Sequence, residues 1–297
     1  MGEVIELAKR AAKTLSPVLL CGESGSGKEL IARYIHQQSI RHKGPFVSIN
    51  CAAVPDGLME SELFGHERGA FTGAVAQHLG KFERASGGTL LLDEVSEMSV
   101  HLQAKLLRVL QESELDRLGG RESVSINCRV VSTTNRDPKQ SVSRGDFRED
   151  LFYRLNVIRI DCPPLRGRVE AIEALAYEFL AQSGQRQEKI LKGFSSAAME
   201  QLKKHAWPGN IRELQNVIER AVLLCDTSKI EEIHLDSWKK DISSEEEDSK
   251  PVRLDEVEKR HILAILSHTE GNRTVAAEEL GISVRTLRNK LKIYQLG

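Results

Sequence analysis

The densest chemistry in the chain begins at Gly22. An apolar run, Val18–Cys21, passes straight into Gly22-Glu23-Ser24-Gly25-Ser26-Gly27-Lys28-Glu29, and a helical pattern follows. A GxxxxGK spacing between strand and helix is that of a phosphate loop. Its glycines let successive N–H groups turn toward an anion, and the helix N-terminus adds the positive end of a dipole. Lys28 supplies a point charge for the β- and γ-phosphates, so the stretch Gly22 to Glu29 reads as nucleotide-binding. Glu29 stands where this pattern usually carries Ser or Thr for magnesium, so a metal contact from the loop hydroxyl is not expected.

A second half of the same chemistry lies about two turns of fold later. Gly87-Gly88-Thr89-Leu90-Leu91-Leu92-Asp93-Glu94 is an apolar strand ending in two acids. Asp93 is placed to hold a magnesium shell and Glu94 to orient and polarise an attacking water, with the metal arriving on the nucleotide. Thr134 and Asn135 end a later strand, where polar groups could touch the γ-phosphate or the water. These residues imply hydrolysis of ATP with Mg2+. No His or Cys spacing suggests a metal site of another kind.

The elements that must position these groups follow from periodicity. Short β-branched runs at Pro17–Cys21, Phe46–Asn50, Thr89–Asp93, Arg129–Thr134 and Val157–Asp161 alternate with helical stretches such as Lys28–Gln38 and Ser99–Glu112. That alternation predicts an α/β core with a parallel sheet. From Val169 onward strands disappear, and Glu170–Gln182, Ser196–His205 and Asn210–Cys225 read as helices of a second subdomain. The chain has 297 residues, 42 Lys+Arg against 43 Asp+Glu, and 40 % hydrophobic residues, which suits two or more globular domains with a sizeable core. No run approaches a membrane-spanning length. Five scattered cysteines without a CxxC pair read as core thiols of a reducing cytoplasm. The stretch 241–253, with Glu245, Glu246, Glu247 and Asp248, has the composition of a flexible acidic linker.

One segment belongs to no generic nucleotide fold: Glu60-Ser61-Glu62-Leu63-Phe64-Gly65-His66-Glu67-Arg68-Gly69-Ala70-Phe71-Thr72-Gly73-Ala74. Residue types alone leave it open between a turn with Phe71 in the core and a loop presenting Phe71 and Thr72 to a partner. The motif Gly69 to Ala74, GAFTGA, resembles the signature of the bacterial enhancer-binding proteins. These are the NtrC-like AAA+ activators that open promoters held by sigma-54 RNA polymerase. The resemblance covers nearly the whole chain, and in it Glu after the phosphate-loop Lys is usual. It implies that Gly69, Ala70, Phe71, Thr72, Gly73 and Ala74 contact sigma-54, and that Leu115–Ser125 is a second surface loop beside them. Phe147-Arg148-Glu149-Asp150-Leu151-Phe152-Tyr153-Arg154-Leu155 resembles the arginine-finger segment, implying that Arg148 and Arg154 reach a neighbouring subunit's ATP. A guanidinium there is worth about 10³–10⁵ in rate; a surface ion pair to Glu149 or Asp150 is the plainer alternative. Pro163-Pro164-Leu165-Arg166-Gly167-Arg168 resembles the link to the lid. Trp207-Pro208-Gly209-Asn210-Ile211-Arg212-Glu213-Leu214 is similar to the second sensor, placing Arg212 over the nucleotide. Asn50 matches the position that restrains Glu94 when no productive contact exists. By the same resemblance the segment before the first strand is short, and no receiver or sensory domain is in view.

Beyond the linker, Leu254–Ser267, Arg273–Leu280 and Val284–Tyr294 read as three helices, the last two joined around Gly281 with helix-turn-helix spacing. Leu287 and Leu291 would face a core, while Arg285, Arg288, Asn289, Lys290 and Lys292 lie mostly on the other side. Gly271-Asn272-Arg273-Thr274-Val275-Ala276-Ala277 with Leu280-Gly281-Ile282 resembles the Fis-type module of the same activators. It adds Arg273, Thr274, Ser283 and Thr286 to the expected contacts with double-stranded enhancer DNA. The expected architecture is an AAA+ α/β subdomain at 1–168, a helical lid at 169–240, the linker, and an all-α helix-turn-helix domain at 254–297. The expected assembly is a homo-oligomeric ring, hexameric or heptameric, with paired DNA-binding domains. A regulator using ATP only to oligomerise, or another AAA+ machine, would explain the phosphate loop equally well but not GAFTGA.

Overall fold

The computed structural model describes residues 2–232, 234–235, 258–259, 261–263, 265–266, 269 and 272–294. The chain divides into two compact units, 1–235 and 236–297. The predicted linker, 241–253, lies outside the described residues, as does part of the predicted helix Leu254–Ser267.

In the first unit, β1 (Val18–Cys21), β2 (Phe46–Asn50), β3 (Thr89–Asp93), β6 (Arg129–Thr134) and β7 (Ile158–Asp161) form one parallel sheet in the order β2-β3-β6-β1-β7. Every residue of β1 and β6 is buried, as in a sheet covered on both faces. The crossover helices are α2 (Lys28–Gln37), α3 (Asp56–Phe64), α4 (Lys81–Arg84), α5 (Val100–Glu112), α6 (Pro138–Arg144) and α7 (Glu149–Leu155). Leu102, Leu106 and Val109 of α5 are buried in the same core as Leu90 and Leu92 of β3. Because the chain leaves β1 toward β2 on the far side of β3, the loop after β1 opens at the carboxyl ends of β3 and β6. Such a switch point is where open α/β sheets bind ligands. Thus the sheet order itself puts Gly22–Lys28, Asp93–Glu94 and Asn135 on one edge.

The N-terminal helix α1 (Gly2–Ala12) is docked on this core through Ala8, Ala11 and Ala12. Its last carbonyls are met from below by Arg129, 1 % exposed, whose Nη2 donates to Ala11 O at 2.8 Å. Burial pulls that guanidinium down to about 10, and the helix C-terminus it faces offers compensating negative dipole. Cys21, Cys51, Cys162 and Cys225 are buried and all five cysteines are free.

Two short strands, β4 (Glu114–Asp116) and β5 (Ser123–Ser125), pair antiparallel apart from the main sheet. The lid consists of α8 (Glu170–Arg186), α9 (Ser196–Lys204) and α10 (Asn210–Leu224). Trp207, fully buried, fastens the turn before α10 by donating from Nε1 to Leu202 O at 2.8 Å.

In the second unit, α11 (Arg273–Glu279) and α12 (Val284–Ile293) flank the turn at Gly281. Asn272 accepts from the Thr274 and Val275 N–H groups, and Ser283 from that of Thr286. Each is a side-chain cap for an otherwise unpaired helix start. Ile262, Ala276, Ala277, Leu287 and Leu291 close a small core of their own. Among the described residues no helix is long and apolar enough to cross a membrane.

Candidate active site and contact loop

The phosphate loop runs from Gly22 into α2, whose first residue is Lys28. The Lys28 side chain is buried, and its Nζ donates to Gly22 O at 2.8 Å and Glu23 O at 3.1 Å. It also lies 3.5 Å from Glu94 Oε1. The other Glu94 oxygen accepts from the Asn135 backbone N–H at 2.9 Å. Glu94 itself sits past the end of β3 in the left-handed region, φ 54°, a conformation that costs a side chain of this kind roughly 1–3 kcal/mol. The turn sends its carboxylate back across the strand ends toward Lys28.

Asp93 is held differently. Its Oδ1 accepts from Thr133 Oγ1 at 2.6 Å and its Oδ2 from Asn50 Nδ2 at 3.0 Å. The Asn50 Oδ1 is taken by the N–H groups of Ala52 and Ala53, so this amide has a fixed orientation. The expected restraint of Glu94 by Asn50 is therefore not what this structure contains. Register explains the difference: β2 and β3 pair Asn50 directly beside Asp93, whereas Glu94 has already turned away.

Two further expectations are corrected. Thr134 Oγ1 bonds Ser96 Oγ at 2.8 Å in the core, and the residue is 1 % exposed, so it does not face a nucleotide. Thr133 is the hydroxyl of the site, bonded to Asp93 and accepting from the Glu94 N–H at 2.9 Å. Strand alternation puts these adjacent threonines on opposite faces. Glu29 pairs with Arg33 one helical turn on, at 2.7 Å, on the exposed side of α2; its carboxylate takes no part in the phosphate loop.

The lid meets the loop directly. Arg212 Nη1 donates to Ser24 Oγ at 3.1 Å, and the Glu23 carboxylate is drawn down to about 2 by bonds from Arg166 and Asn210. The Ser26 hydroxyl, 2 % exposed, has no hydrogen-bond partner. A curled loop with a buried, unspent hydroxyl, a buried ammonium and two carboxylates fits a nucleotide carrying magnesium. Arg148 pairs with its own Asp150 at 2.8 Å, and Arg154 donates to Leu110 O at 2.6 Å. Neither reaches the phosphate loop of the same chain through these bonds.

The GAFTGA segment is a surface loop. His66 and His78 exchange backbone bonds at 3.0 and 2.9 Å and close its base. Glu67 N–H donates to Leu118 O, and Leu118 N–H to Gly65 O, both at 3.0 Å, tying it to the β4–β5 hairpin. Phe71 is 41 % exposed and rests its ring edge-on against His66, with centroids 4.9 Å apart. Thr72 and Gly73 are exposed and Ala74 is buried at the return. The alternative with Phe71 in the core is excluded. In the second unit Arg273, Thr274, Arg285, Thr286, Arg288, Asn289 and Lys292 are exposed. Lys290 instead pairs with Glu258, which also accepts from Tyr294 Oη at 2.7 Å, so it is partly spent inside the unit.

The sheet order, the phosphate loop and the lid together define an AAA+ P-loop ATPase. Residues 1–161 match the sigma-54 interaction domain, 166–252 the AAA+ ATPase lid domain, and 253–294 the bacterial regulatory proteins of the Fis family. The chain belongs to the sigma-54 interaction domain family, joined to a Fis-type helix-turn-helix. It is 49 % identical over 311 residues to the transcriptional regulatory protein FlbD of Caulobacter vibrioides, which covers 99 % of this chain and 68 % of FlbD. It is 48 % identical over 303 residues to the regulatory protein AtoC of Escherichia coli, covering 99 % of this chain and 66 % of AtoC. The crystal structure of NtrX from Brucella abortus in complex with ATP superposes with TM-score 0.76 at 34 % identity, over 100 % of this chain and 67 % of that one. The chain thus spans about two thirds of the length of these relatives.

Proposed function

We propose that this chain uses ATP hydrolysis to remodel sigma-54 RNA polymerase from closed to open promoter complexes, held near the promoter by its Fis-type unit on enhancer DNA. The observation that carries the reading is the placement of Glu94. One of its oxygens is oriented by the Asn135 N–H at 2.9 Å and the other lies 3.5 Å from Lys28. A carboxylate so fixed can orient a water for in-line attack on the phosphoryl group that Lys28 neutralises. Magnesium, held by Asp93 and Glu94 with the nucleotide, would spread the charge of the transferring group. Thr133 and Asn50 keep Asp93 in place, and Arg212 stands over the loop from the lid.

Arg148 and Arg154 complete the site of a neighbouring subunit, in a ring of six or seven copies. Arg154 is exposed and Arg148 partly so, and their bonds go to Leu110 and Asp150, away from the phosphate loop of the same chain, which supports this role. The Phe71–Thr72 loop is the part that meets sigma-54, because it presents an exposed aromatic and hydroxyl on a base tied to the β4–β5 hairpin. Arg273, Thr274, Ser283, Arg285, Thr286, Arg288, Asn289 and Lys292 form the DNA-facing set, with Ser283 acting first as a helix cap.

Glu94→Gln tests the reading. It should bind ATP as the parent does while losing about 10²–10⁴ in turnover, and should give no open complexes with sigma-54 polymerase. Hydrolysis at the parent rate in purified Glu94→Gln, or promoter opening with the housekeeping polymerase alone, would overturn it.

A further inference from the structure

The phosphate loop is gripped from the lid by a side chain whose amide oxygen and nitrogen are both spent on protein groups. Asn210, the first residue of α10, is fully buried with φ 53°. Its Oδ1 accepts from Leu165 N–H at 2.7 Å. Its Nδ2 donates to Glu23 Oε2 at 3.1 Å, to Ser24 O at 3.0 Å and to Pro208 O at 3.3 Å. One amide thus joins the strand-to-lid connector, the turn before α10 and the phosphate loop. Around it, Arg166 clasps both Glu23 oxygens at 2.8 and 2.5 Å, Ile211 N–H donates to Gly25 O at 2.9 Å, and buried Arg168 donates to Ser26 O at 2.5 Å.

These bonds fall on the back of the loop. A phosphate loop works with its N–H groups, and in a planar trans peptide the carbonyl points opposite to the N–H. Holding the Ser24 and Ser26 carbonyls outward therefore turns the N–H groups of Gly25 and Gly27 toward the ligand side. The Gly25–Ser26 plane is the exception, since its N–H bonds Glu23 O at 3.2 Å. Glu23 is then the hinge pin of the loop, and its carboxylate is fixed by Arg166 and Asn210 rather than by solvent.

We propose that Asn210 is a positioning residue for nucleotide binding: acting through Glu23 and the Ser24 carbonyl, it pre-forms the phosphate loop and so sets ATP affinity from a place the nucleotide never touches. The proposal rests on the ATPase reading above. It makes the lid a determinant of binding by way of the loop's backbone, separately from any contact made by Arg212.

The test is an exchange of polarity in the full-length chain. Asn210→Asp keeps the shape, the tolerance of a left-handed backbone and the Oδ1 acceptor, but sets an oxygen against the Glu23 carboxylate and Ser24 carbonyl. Glu23→Gln is the complementary change, and in the double variant amide and carboxylate have changed places. Titration with a fluorescent ATP analogue and steady-state ATPase assays should show Asn210→Asp weakening Kd and raising KM about tenfold, with kcat held within about threefold. The double variant should recover part of that loss, because the new amide can donate to the new carboxylate while the Ser24 and Pro208 carbonyls still face an oxygen. An unchanged Kd, a fall in kcat at unchanged KM, or a double variant that loses the product of the two single losses would overturn the proposal. Should Asn210→Asp not fold, Glu23→Gln alone decides, because that carboxylate is half-exposed: a raised KM supports the role and an unchanged KM ends it. Lys28→Ala separates the two readings. If the parent binds no ATP, or Lys28→Ala binds as well as the parent, the ATPase reading itself falls. If Lys28→Ala loses binding while Asn210→Asp does not, only the positioning role falls.

Discussion

Two glycine-rich loops of this molecule look alike in composition and differ in what their glycines are for. In the phosphate loop, a Cβ on Gly25 would lie 2.4 Å from the Gly209 carbonyl oxygen, so no side chain fits between loop and lid. In the contact loop, a Cβ on Gly73 would meet nothing within 4 Å, and only its φ of 110° argues for glycine. The first loop is shaped by what is packed behind it. The second is shaped by its own turns and leaves Phe71 and Thr72 facing outward. A site suited to holding a phosphate to fractions of an ångström is built from crowded backbone, and the part proposed to meet a partner is built on open ground.

The difference can be pressed with substitutions of one methyl group. Gly25→Ala should cost about 2–4 kcal/mol in stability, combining overpacking with a left-handed alanine. It should also abolish nucleotide binding, as read by calorimetry and ligand titration on the same sample; a chain that still bound ATP normally would erase the contrast. Gly73→Ala should cost only about 1–2 kcal/mol, from backbone conformation alone, and leave ATP turnover intact. Thr72→Ala should have the smallest effect on the fold, within about 0.5 kcal/mol, because the side chain is exposed and no bond to it is needed by the loop. Its ATPase rate should match the parent while open-complex yield collapses. A parallel drop in thermal midpoint, ATPase and promoter opening would make Thr72 a structural hydroxyl instead.

The parallel strands were readable because short β-branched or apolar runs, bounded by turn residues, alternate with helical patterns. All five lie within one residue of the expected limits. Burial on both faces of the sheet hid which face a residue takes. β6 is buried along its whole length, so nothing in Ser132-Thr133-Thr134 shows which hydroxyl meets Asp93, and only the alternation counted from a known neighbour would have found Thr133. Register was equally invisible: the pairing of Asn50 with Asp93 comes from how β2 slides along β3. The β4–β5 hairpin was expected as a plain loop because its strands are three residues each and mostly exposed. Lys290 looked free on a basic helix, since its partner Glu258 comes from a different helix of that unit. Long-range side-chain pairs such as Asn210 with Glu23, 187 positions apart, leave no local periodic trace.

The left-handed backbone at Glu94 carries a consequence for how such a protein changes under selection. Glycine or asparagine would sit there with less strain than a glutamate, so the position is one where heat tolerance and turnover favour different residues. A population selected only for surviving heat would find relief at residue 94 and lose the carboxylate proposed for hydrolysis in the same step. On the proposed role, a glutamate held at this torsion angle is the strain that turnover demands of the backbone.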